Sequence, residues 1–282
     1  SFEVAPQTVY ALVGESGSGK STIGKMVVGL LRPSAGTVEI EGVDLAHETD
    51  AARVARVRSD IQMIFQDPFA SLNPRWKVRH IIAEPVAARG GDTEGLAERL
   101  LEQVGLCAGD ADRYPHEFSG GQRQRICVAR ALASEPRLIV CDEPTSALDV
   151  SVQAQVLNLM SDLKDRFGLT YLFISHDLTV VQHMADTIGV LYLGRLVEEA
   201  APDDLFDDPK HPYSQMLLAA APKMDGFGRE VDPPKGEIPD PINPPPGCAF
   251  HPRCPIAVDR CKRDRPELRV VRGARVACHL AE

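Results

Sequence analysis

Gly14-Glu15-Ser16-Gly17-Ser18-Gly19-Lys20-Ser21 has the residue types and spacing to hold a chain of phosphates. Glycines at 14, 17 and 19 let the backbone turn sharply and bring its N–H groups close to an anion. Lys20 adds a mobile positive charge for β- and γ-phosphates, and the Ser21 hydroxyl can ligate Mg²⁺. Such a loop needs a strand before it and a helix after it, so that the helix N-terminus faces the anion. Val9–Val13 reads as a short buried strand, and Thr22 to Leu31 as a helix with Ile23, Met26, Val27 and Leu30 on one face.

Other groups could act on the same ligand. Leu138-Ile139-Val140-Cys141 is a continuous apolar run ending in Asp142-Glu143, the pattern of a buried parallel strand with acids at its end. Asp142 can bind Mg²⁺ directly or through water, and Glu143 can polarise an attacking water. Phe118-Ser119-Gly120-Gly121-Gln122 is glycine-rich and opens a helix to about Ser134, with Ser119 and Gln122 at capping-box spacing. It makes a second anion site on the same chain, or else a plain helix cap. Gln66 ends a strand over Ile61–Phe65 and can bind Mg²⁺ or water through its amide. His176 follows a strand over Leu169–Ile174, where a neutral imidazole could contact a γ-phosphate or serve structure alone.

The elements that position these groups alternate. A strand is expected at the N-terminus (1–4) and another over Thr37–Glu41, followed by a helix over Ala51–Arg58. Residues 67–135 read as a helical insert with segments near Val78–Ala88 and Glu94–Val104. Val152 to Phe167 is an amphipathic helix stopped by Gly168, and 187–193 with 196–199 form a hairpin around Gly194-Arg195. The fold class is α/β, a sheet with helices on both faces.

At 282 residues there is room for one large domain and a small extra one. A net charge of −9 argues against a general nucleic-acid binder. No apolar run approaches the roughly 18 residues of a membrane span, and no basic-then-apolar leader is visible. A cytoplasmic chain is expected, linked to any membrane through a partner. Cys107, Cys127 and Cys141 are scattered and expected to be buried. Past Ala200 a short helix over 214–221 follows His211-Pro212-Tyr213. A stiff linker rich in proline, from Pro233-Pro234 to Pro244-Pro245-Pro246, then leads to Cys248, Cys254, Cys261 and Cys278.

Residues 1–200 resemble the ATPase subunit of an ATP-binding-cassette transporter. Gly14–Ser21, with Thr22, resembles Walker A, Gln66 the Q-loop, and Phe118–Gln122 the family signature. Leu138–Glu143 resembles Walker B, Ser146-Ala147-Leu148-Asp149 the D-loop, and His176 the switch histidine. The resemblance implies a P-loop NTPase core (RecA-like) with an antiparallel β-part and a helical signature subdomain. It also implies a head-to-tail dimer of cassettes. ATP and Mg²⁺ would sit between the phosphate loop of one and Ser119, Gly120, Gly121 and Gln122 of the other. Glu143, His176 and Gln66 would be catalytic, with Ser21, Gln66 and Asp142 toward Mg²⁺. In the family an aromatic residue upstream of Walker A stacks on adenine. Phe2 is badly placed for that, so the chain is expected to be a fragment or the C-terminal module of a longer or fused chain.

Gln66 through Arg75, and His211-Pro212-Tyr213-Ser214 with the Ala- and Pro-rich stretch after it, resemble oligopeptide and dipeptide permease ATPases. That implies peptide import, or import of related solutes such as nickel complexes. The implied partners are a second cassette, two transmembrane permease subunits and, indirectly, an extracytoplasmic binding protein, at the cytoplasmic face of the membrane. Domains are expected at 1–200 and 201–282, the second small, irregular and cysteine-rich. Its four cysteines suit zinc or an iron–sulfur cluster by donor type, with free or disulfide-linked thiols as the alternative. The resemblance favours a [4Fe–4S] cluster, structural or as a redox switch on transport. Rival readings are a soluble cassette ATPase of DNA repair or translation, which would carry a coiled-coil or zinc-hook insertion or tandem cassettes, and a docking module with a dead site.

Overall fold

A computed structural model describes residues 1–220 and 237–282. The elements run β1 (Val9–Val13), α1 (Lys20–Val27), β2 (Glu39–Ile40), β3 (Val43–Asp44), α2 (Ala51–Ser59), β4 (Ile61–Ile64), α3 (Pro68–Ser71), α4 (Val78–Ala87) and α5 (Leu96–Gln103). They continue with α6 (Gly120–Leu132), β5 (Leu138–Asp142), α7 (Val150–Phe167), β6 (Thr170–Ile174), α8 (Leu178–Met184), β7 (Thr187–Tyr192) and β8 (Arg195–Ala200). Last come α9 (Pro202–Asp207), α10 (Pro212–Ala219), α11 (Asp259–Arg263), β9 (Arg269–Val271) and β10 (Ala274–Val276). The chain divides into two compact units, 1–21 with 174–282, and 22–173.

In the first unit β1 is buried along its whole length, as its unbroken apolar sequence requires. It pairs in parallel with β7, which turns back antiparallel into β8. Beyond β8 the ladder continues through β10 to β9, both antiparallel. The tail therefore extends the sheet that carries the phosphate loop. The expectation of an irregular extension is corrected by this hairpin. Its turn is Arg272-Gly273, both residues at positive φ (46° and 88°), the backbone that a two-residue hairpin loop of matching twist demands. Arg275 pairs in register with Glu199 and bonds its carboxylate at 3.1 Å.

In the second unit β4 and β5 pair in parallel, and β6 lies beside β5. Val43, Leu45, Val57 and Ile61 form a small core beneath the β2–β3 hairpin and α2. The segment between β4 and β5 is helical as expected, with α4, α5 and α6 packed on one another. Arg130 ties α6 to α3 by donating to the Ser71 carbonyl (2.6 Å). Gly168, at φ 63°, stops α7 in the left-handed conformation that glycine adopts without strain.

Other expectations need adjustment. No strand forms at 1–4; the Phe2 ring stacks on Tyr10, centroids 4.9 Å apart. The strand expected over Thr37–Glu41 shrinks to Glu39–Ile40, and Cys107 is exposed while Cys127 and Cys141 are buried. Pro233-Pro234 and Ala221 lie outside the described residues; 237–247 carries no regular element. No helix among the described residues is long and apolar enough to cross a membrane.

His211, which opens α10, is 1% exposed and accepts the Tyr213 N–H at 3.0 Å. Its backbone N–H and that of Lys210 both donate to the buried Glu198 carboxylate. Burial pushes the imidazole pKa down to about 4, against a weaker opposing hydrogen bond to the Ala277 carbonyl. The unfolded chain therefore takes up a proton near pH 6.5 that the folded chain refuses until about 4, so stability falls as pH drops through that window. The slope is about 1.4 kcal/mol per pH unit, near 3 kcal/mol in all. Denaturation midpoints measured from pH 7 to 4 should fall less steeply in His211→Gln than in wild type; parallel curves would exclude His211 as the source.

Candidate nucleotide-binding site

The phosphate loop leaves β1 through Gly14, whose φ of +148° is open only to glycine. A Cβ there would lie 2.2 Å from the Leu191 carbonyl oxygen of β7, so the loop starts in contact with the neighbouring strand. Ser18 N–H bonds Glu15 O (3.2 Å), and Gly194 N–H bonds Ser18 O (2.8 Å), which pins the loop to the β7–β8 turn. Gly17 and Gly19 also have positive φ, 79° and 99°. Lys20 is 6% exposed and its Nζ donates to Gly14 O at 2.7 Å and Glu15 O at 3.0 Å. Ser16 is exposed, while Ser21, the second residue of α1, is partly buried and Thr22 after it is exposed. Ser175 N–H bonds Leu12 O at 3.2 Å, which brings the exposed His176 to the end of β1 where the loop begins.

The second unit assembles the acids. Asp142 ends β5 and is 5% exposed. Glu143 follows it with φ 47°, a left-handed backbone uncommon for a residue with a side chain and typical of functional positions. Gln66 Nε2 donates to Glu143 Oε2 at 2.9 Å, so the glutamine after β4 and the glutamate after β5 meet across adjacent strand ends. Sequence spacing of 77 residues could not show this contact.

Ser119 caps α6: its Oγ accepts the Gln122 N–H (3.4 Å) and the Gln122 Oε1 accepts the Ser119 N–H (3.0 Å). The expected capping box is present. Gly120 and Gly121 fill the first turn, and a Cβ on Gly121 would lie 2.3 Å from Val152 Cγ1 of α7. The glycine permits α6 and α7 to approach closely, so its small size has a packing reason beside any binding one. Asp149 is exposed at the N-cap of α7.

The four late cysteines line one cavity with His211, Pro212, Phe250 and Leu280. Burial first, then the neighbouring thiols, holds Cys248 and Cys254 above the ordinary thiol range. All four are free thiols, and no group of three or more His, Cys, Asp or Glu among the described residues has metal-holding geometry.

One feature of the loop escaped sequence reading. Glu15 N–H donates to the Tyr213 hydroxyl (2.8 Å), and both Glu15 carboxylate oxygens accept from Arg253, at 2.7 and 3.0 Å. His211-Pro212-Tyr213 stood out as a motif, but nothing in it pointed back to the loop.

A model of the ABC transporter family matches residues 1–146, and one of the oligopeptide/dipeptide transporter C-terminal region matches 197–261. The oligopeptide transport ATP-binding protein AppF of Bacillus subtilis is 50% identical over 99% of this chain and 88% of its own length. The chain is an ABC transporter ATP-binding protein. This cassette is also 46% identical to the di/tripeptide transport ATP-binding protein DppF of Pseudomonas aeruginosa, over 100% of the chain and 88% of that protein. Among solved structures, the ATP-binding cassette MJ0796, a dimer in a post-hydrolysis state bound to ADP and Pi, matches with a TM-score of 0.63 and 28% identity. That match covers 71% of this chain and 88% of that one. The cassette is thus an ATPase of P-loop α/β fold, and these matches support transport rather than DNA repair or translation.

Gly14→Ala should destabilise the cassette by about 2 kcal/mol and weaken ATP binding, because the new Cβ meets a backbone oxygen that cannot yield cheaply. Thermal unfolding and nucleotide titration check it; wild-type values in both would contradict the loop geometry.

Proposed function

We propose that this cassette hydrolyses ATP to power import of oligopeptides or dipeptides through a membrane transporter. The observation that carries the reading is kinship over nearly the whole chain, tail included, with ATP-binding proteins named for peptide transport. Its partners are a second cassette, identical or distinct, and two transmembrane permease subunits at the cytoplasmic face. An extracytoplasmic binding protein acts indirectly, and no nucleic acid takes part.

The residues divide the work. Backbone N–H groups of the loop from Gly14 to Ser21, with Thr22, hold the phosphates, and Lys20 supplies charge to the β- and γ-phosphates. Ser21, Gln66 and Asp142 are the side chains suited to Mg²⁺, a cation that neutralises charge as the γ-phosphate leaves. Glu143 orients or activates water for in-line attack, and His176 contacts the γ-phosphate. Ser119, Gly120, Gly121 and Gln122 complete the site of the facing cassette, so that γ-phosphate closes the pair and its loss reopens it. Asp149 belongs to the same facing surface, and the helical insert carries the motion to the permease.

Cys248, Cys254, Cys261 and Cys278 are the residues that would hold an iron–sulfur cluster, or zinc as the alternative. Their shared cavity and soft donor set support this reading. Bound metal would cross-link the separate segments of the tail that carry the four cysteines. Anaerobically purified protein should be brown and contain iron and sulfide; colourless protein containing zinc would favour the alternative, and metal-free protein neither.

Glu143→Gln should lower ATP turnover about 100-fold or more while ATP still binds. Near-normal turnover would remove Glu143 from the role assigned here.

A further inference from the structure

The cysteine-rich tail reaches the phosphate loop itself. Arg253 lies between Phe250 and Cys254, in a segment held by turns in which Arg253 N–H bonds Phe250 O (3.0 Å) and Cys248 N–H bonds Cys261 O (2.8 Å). Its side chain is 2% exposed and forks onto both Glu15 oxygens. The guanidinium lies 5.9 Å from the ring centroids of Tyr192 and Phe250. Tyr192, Tyr213 and Phe250 pack on one another with centroids 4.6 to 5.4 Å apart. Tyr213 in turn accepts the Glu15 N–H.

A carboxylate in a loop built to receive polyphosphate is an electrostatic liability, because like charges a few ångströms apart repel strongly where water is scarce. Arg253 removes that liability in two ways. It neutralises Glu15, and its bidentate geometry turns the carboxylate toward the tail. Tyr213 fixes the peptide at the loop's first turn. We propose that Arg253 and Tyr213 are positioning residues for the phosphate loop, through which the C-terminal extension sets the cassette's affinity for nucleotide. This rests on the reading that the loop holds ATP.

The test is ATP affinity in the full chain with Mg²⁺, alongside thermal unfolding. Arg253→Met should raise the Kd roughly tenfold, within the usual range of coupling between distinct sites. Arg253→Lys, which keeps a point charge, should fall between. The deciding variant is Arg253→Met combined with Glu15→Gln. Removing the uncompensated carboxylate should restore most of the lost affinity, whereas a merely structural arginine would leave the double variant as weak as the single one. If Arg253→Met does not fold, Tyr213→Phe supplies the reading through a severalfold rise in Kd. Wild-type affinity in Arg253→Met, or no recovery in the double variant, would overturn the proposal. Lys20→Ala separates the two claims: unchanged ATP binding there would reject the loop as the nucleotide site, whatever Arg253 does.

Discussion

A buried ammonium holds the phosphate loop in shape. Lys20 is almost wholly removed from water, and burying a charge is unfavourable unless hydrogen bonds replace the lost hydration. The Gly14 and Glu15 carbonyls provide those bonds, and they can do so only because the chain doubles back at Gly14 against the Leu191 carbonyl. Strand β1, its parallel neighbour β7 and the Gly194 turn are the frame that makes this reversal tolerable. The loop is thus already arranged around a cation held by its own carbonyls.

The acids show a related economy. Glu143 is held at positive φ, a conformation its own side chain disfavours, and the Gln66 amide fixes one of its oxygens. Two parallel neighbours, β4 and β5, end side by side, and that register brings together side chains far apart in sequence. The Glu143 carboxylate is thereby presented in one orientation and linked to the glutamine that opens the helical insert.

Much of this was legible beforehand because its chemistry is local. A phosphate loop needs three glycines, a lysine and a hydroxyl within eight consecutive positions, and a buried strand announces itself by an unbroken apolar run. The capping box at Ser119 and Gln122 is equally short-range. What stayed hidden is long-range. Arg253 and Glu15 are 238 positions apart, and neither segment carries a pattern that names the other. The β9–β10 hairpin was missed because three-residue strands give almost no periodicity, although Arg272-Gly273 is a fitting turn. Cys107 is exposed against expectation because cysteine's usual preference for the interior does not describe a loop beside a 3₁₀ turn.

Nucleotide gripped between the loop of one cassette and the Ser119 turn of another, as proposed above, would make turnover depend on two facing cassettes. The direct measurement is ATP turnover per chain across a wide range of protein concentration, in wild type and in Ser119→Arg, with single-chain ATP binding followed in parallel. The expected result is turnover that rises with concentration, or on adding the partner cassette, and that Ser119→Arg abolishes while binding persists. Full turnover by dilute monomers, indifferent to Ser119→Arg, would contradict it.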